Sequence, residues 1–103
     1  MQEFRLTKIK LEHSAKTINI LRGSLTIYDD EASIWYAEIE QPSELELLHE
    51  WKKKDTEEEV VFFTDGHSAR IGFAKVTRVT ESSSGVSVSF KGSGELRLLG
   101  SKQ

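Results

Sequence analysis

The chain has 103 residues, 37% hydrophobic and 30% charged, with a formal net charge of -3 and no cysteine. These proportions are those of a globular domain rather than a disordered chain, and the missing thiols exclude a disulfide scaffold and any thiolate metal site. No apolar run approaches the ~20 residues of a membrane helix, and the acidic balance gives no bulk attraction for nucleic acid.

The opening MQEFRLTKIKLE lacks the apolar core of a secretory signal. The expectation is one domain over residues 1–103 in a reducing, cytoplasmic setting. Residues 3–12 read as a strand with a fault: Phe4 and Leu6 share one parity, Ile9 and Leu11 the other. A β-bulge near Thr7–Lys8 produces such a slip; a strand covered on both faces is the alternative. His13–Lys16 is a connection, and Thr17–Arg22 resumes alternation through Ile18 and Ile20. Gly23-Ser24 permits a bend before the strand Leu25–Tyr28. Asp29–Ala32 has turn chemistry, since short acidic side chains bond nearby amides. Ser33–Glu40 returns as a strand, with Trp35, Ala37 and Ile39 on one face and Ile34 and Tyr36 on the other, which makes 25–40 a hairpin.

A helix is predicted over about 43–54. Ser43 is placed as N-cap, with Glu46 completing a capping box. Leu45, Leu47, Leu48 and Trp51 form one apolar arc, and Lys52, Lys53 and Lys54 complement the negative end of the helix dipole. Val60–Phe63 is apolar on both parities, the pattern of a strand buried on two sides. Asp65-Gly66 then signals a hairpin turn. The stretch Ala69–Leu98 carries the clearest periodicity: one strand holds Ile71, Phe73, Val76 and Val79, and the next has Val86, Val88 and Phe90 opposite Ser87 and Ser89. A third strand punctuated by Gly92 and Gly94 follows, with these glycines read as turn residues. The expected fold is mostly β: an antiparallel β-sandwich or barrel of about seven or eight strands, with the helix at about 43–54 packed against it.

No chemical constellation emerges. His13, His49 and His67 are isolated, and Asp29-Asp30-Glu31 lacks the alternating ligands and glycine of a calcium loop. The serines fall in turns or on a polar strand face, and no glycine run opens a helix as a phosphate loop does. Catalytic, metal and cofactor-binding residues are therefore none, and no enzyme activity or cofactor is expected. For nucleic acid the argument is strand order: three strands, a helix and two strands is the OB-fold sequence, with Tyr28, Trp35 and Tyr36 as stacking faces. Against it, the basic residues are scattered, and helix-end electrostatics accounts for Lys52–Lys54.

The pattern Gly72-x-Ala74-x-Val76-Thr77-x-Val79, then Gly85-x-Ser87-Val88-Ser89-Phe90-x-Gly92-x-Gly94-x-Leu96, resembles the C-terminal hairpin of bacteriophage tail-tube (major tail) proteins over about residues 70–98. The resemblance implies a β-sandwich or barrel with a helix at its side. It also implies ring assembly through protein contacts, a virion location, and neither catalysis nor cofactor. The expectation is thus a non-enzymatic structural, assembly or protein-interaction domain that meets itself or an assembly partner. The alternative is a small cytoplasmic binding module, for example an OB-like binder of single-stranded nucleic acid.

Overall fold

A computed structural model describes residues 1–66 and 68–99. In chain order the elements are β1 (Gln2–Leu11), β2 (Lys16–Ile27), β3 (Trp35–Glu40), α1 (Leu45–Lys54), β4 (Glu58–Thr64), β5 (Ser68–Ser82), β6 (Gly85–Gly92) and β7 (Arg97–Leu99). Every pairing is antiparallel. The strand order β4-β1-β2-β3-β6-β5-β7 is closed by a further β4–β5 ladder. Six strands therefore form a barrel, and β7 adds a seventh beside it. Of the two architectures expected, the barrel is the one adopted; closure pairs most strand edges and leaves open the first half of β2, which β3 does not reach.

β5 makes the closure possible by serving different neighbours along its length. Its first half, Ser68–Ala74, pairs with β4, while Ala74–Ser82 pairs with β6. β7 lies against Ala69–Ile71. The expected bulge in β1 is present: register shifts between Leu6 and Lys8 against both β2 and β4. Leu6 and Ile9, of opposite parity, are consequently both buried. A second shift, between Val76 and Arg78, resets β5. Ala74 and Val76 join the core, whereas Phe73 is 47% exposed on the outer face. The expected apolar face through Ile71, Phe73, Val76 and Val79 is thus split between two sides. Ile71 is still covered, because it faces Val61 across the ladder on the outside of the barrel. Val60 and Phe62 point into the core, so β4 is buried on both faces as its sequence indicates.

Two local expectations are corrected. β2 does not bend at Gly23 but runs unbroken through it, with Gly23 held between Leu6 and Ile39. A Cβ there would stand 2.8 Å from the Glu38 carbonyl oxygen, so the glycine serves close strand approach. The capping box of α1 is also not formed. The helix begins at Leu45, Glu44 is its N-cap, and no side chain bonds there. Ser43 instead bonds the exposed edge of β2: its Oγ accepts from the Asn19 amide at 3.0 Å, and its own amide donates to the Asn19 carbonyl at 2.8 Å. A strand edge offered a better partner than the helix terminus.

Leu48 and Trp51 are the buried residues of α1 and belong to the barrel core. Trp51 packs on Phe90 with ring centroids 5.4 Å apart, and its indole N–H donates to the Thr56 carbonyl. Connecting the end of β3 to the start of β4, α1 packs over one end of the barrel. Among the described residues, no helix is long and apolar enough to cross a membrane.

Candidate functional site at the barrel mouth

Antiparallel alternation gathers the starts of β1, β3 and β5, and the ends of β2 and β4, at the end opposite α1. The interior there is filled. Trp35, the first residue of β3, is 1% exposed and meets Phe62 edge to face at 5.3 Å. Its indole N–H donates to the Gly94 carbonyl at 2.9 Å, which satisfies the one polar group this large side chain buries. The Leu96 amide donates to the Ala32 carbonyl, tying the β2–β3 loop to the segment before β7. Within that loop, Asp29 Oδ1 accepts from the amides of Ser33 and Ile34, and the Ser33 hydroxyl donates to Oδ2. The Ser33 hydroxyl, and then the Ile34 amide, hold the Asp29 carboxyl below the usual carboxylate range.

Arg70 stands out at this rim. It pairs across the ladder with Phe62, a core residue, and so has the inward parity of β5. Its guanidinium carbon lies 4.1 Å from the centroid of the Phe4 ring, a cation–π contact. Nη1 is buried and has no hydrogen-bond partner among the described residues. Desolvation pushes the Arg70 pKa down, although a guanidinium retains its charge at neutral pH. A cavity of about 470 Å³ opens beside it, lined by Ile27, Asp29, Asp30, Arg70, Leu96 and Leu98 among others. Among the described residues, no carboxylate oxygen lies within the 4.0 Å of an ion pair with Arg70.

The sequence patterns single out no catalytic, metal or cofactor residue, and Arg70 is not among the residues they draw attention to. The signal was present: counting back from Val76 through Ala74 and Gly72 puts residue 70 on the core-facing side, an unusual address for an arginine. The bulge after Val76 hid that count. Of the aromatic residues considered for stacking, Trp35 is withdrawn into the core. Tyr28 and Tyr36 are exposed, but they meet edge to face at 5.6 Å rather than forming parallel platforms. His13 is exposed, His49 bonds Glu81 at 2.7 Å, and His67 lies outside the described residues. A second groove, about 790 Å³, crosses the outer face of β1–β3. There Arg22 is already paired with Glu40 at 2.7 Å.

No family model and no curated protein matches the chain. Among solved structures, it is similar to a hypothetical protein from Staphylococcus aureus, known from its crystal structure. The TM-score is 0.72 at 15% sequence identity, over 100% of this chain and 73% of the other. At that identity the likeness speaks for the fold.

Proposed function

We propose that this chain is a non-enzymatic binding module that takes a small carboxylate-bearing molecule at the rim of its barrel opposite α1. The observation that carries the reading is Arg70, a cation with a buried, unpartnered Nη1 at the wall of a cavity. A partly desolvated guanidinium with one buried, unsatisfied nitrogen costs stability, and natural sites tolerate that cost where a ligand supplies a partner for the group. A carboxylate matches the planar guanidinium fork. Leu98, exposed beside it, offers an apolar contact, with Ile27 and Leu96 packed behind in a lining that is otherwise mostly polar.

The test is Arg70→Met, which keeps the apolar stem over Phe4 and removes the charge. Stability by chemical denaturation is expected to be unchanged or raised, while binding of isocaproate, followed by calorimetry, is lost. A marked destabilisation with unaltered isocaproate binding refutes the reading, because Arg70 would then serve the fold alone.

A second reading, self-assembly as the tail-tube resemblance implies, is favoured by the outer face of β5 and β7. Phe73 and Leu99 are 47% and 42% exposed there. Concentration-dependent light scattering of the protein and of Phe73→Ser tests it; a strict monomer at all concentrations counts against assembly.

A further inference from the structure

The charges at the mouth are not of one sign. Arg70 lines the cavity from β5, while Asp29 and Asp30 line it from the β2–β3 loop. Asp29 is committed to the loop through Ser33 and Ile34, yet stays ionised. Asp30 is exposed and carries no ion pair among the described residues. Cation and carboxylates thus share one cavity without neutralising each other. Arg70 is also the only cationic side chain among the described lining residues.

This arrangement discriminates among anions. Among the lining side chains, a phosphate or dicarboxylate would bring two negative charges to one guanidinium and two carboxylates, and like charges in a partly desolvated cleft repel. A simple fatty acid would satisfy Arg70 and leave Asp30 facing apolar chain. A molecule with a carboxylate at one end of a short skeleton and an ammonium at the other satisfies both walls. The cavity, at about 470 Å³, falls in the size range of small-molecule sites.

Resting on the binding reading above, we infer that the ligand is a zwitterion of amino-acid size with an apolar side chain: its carboxylate is held by Arg70 and its ammonium faces Asp30. Leu98, the exposed leucine of the lining, would cover the side chain.

Calorimetric titration of the full chain at neutral pH separates the two levels. Three probes share one skeleton: L-leucine, isocaproate (no ammonium) and isoamylamine (no carboxylate). Leucine is expected to bind at least about tenfold more tightly than either, the gain from one further charge-assisted contact. Asp30→Asn, a change at an exposed turn, should reduce leucine to the isocaproate level, and Arg70→Met should abolish both. Equal binding of isocaproate and leucine, each lost in Arg70→Met, overturns the zwitterion and leaves the carboxylate reading standing. Leucine binding that ignores Arg70→Met, or no binding by any probe at millimolar concentration, overturns both.

Discussion

The Trp35 indole occupies the space that a side chain at residue 92 would need: a Cβ on Gly92 would stand 2.1 Å from Trp35 Cε2. Gly92 is no turn residue, as its sequence context indicates, but the last residue of β6, paired with Ala74. The largest buried side chain of the barrel lies directly on strand backbone. Gly92→Ala is therefore expected to cost about 3 kcal/mol, the upper part of the range for forced overpacking. Urea unfolding measures it, and Trp35→Phe in the same chain should recover part of the loss through a favourable coupling.

Leu48 is the fully buried side chain of α1, at 0% exposure. Leu48→Ala should destabilise by about 3 kcal/mol, the transfer and cavity terms together. Leu21→Ala, at a side chain 69% exposed on β2, should stay within about 0.5 kcal/mol. Denaturant midpoints with a common slope would establish the contrast.

Ser43 and Glu46 should behave independently. A capping box would couple them, whereas the structure bonds Ser43 to Asn19 and leaves α1 without a side-chain cap. Ser43→Ala is expected to cost about 1 kcal/mol for one hydrogen bond. In a double-mutant cycle with Glu46→Ala, the two effects should add to within about 0.5 kcal/mol. A larger interaction energy would restore the capping box.

Asp29 ties the β2–β3 loop together as a carboxylate, with its folded-state pKa lowered first by the Ser33 hydroxyl and then by the Ile34 amide. A depressed pKa makes the folded state release its proton more readily than the unfolded chain. Its stabilisation is accordingly complete above the unfolded value of about 3.9 and fades as pH falls through the folded value. Asp29→Asn should lower the melting temperature at neutral pH. The gap from the parent protein should narrow as the pH is taken below about 4. A gap that persists in acid would assign the effect to lost packing instead.

Sequence alone determined what local physics controls. Alternation and turn chemistry specify the β2–β3, β4–β5 and β5–β6 hairpins, since neighbouring strands need only a short turn and matching faces. The slip between Leu6 and Ile9 announced the bulge at Thr7 because side-chain parity records an inserted residue. The leucine arc and terminal lysines specify α1, though not its first residue. Tertiary structure decided the rest. Whether the strands formed two sheets or one closed barrel depended on the β1–β4 and β3–β6 pairings, between segments separated by many residues. Loop-closure entropy and core packing set those pairings, and neither is written in a local pattern. Only the tertiary pairing left Ser43 the unpaired edge of β2 at Asn19, laid Trp35 on Gly92, and turned Arg70 inward beside Phe4 at the barrel mouth.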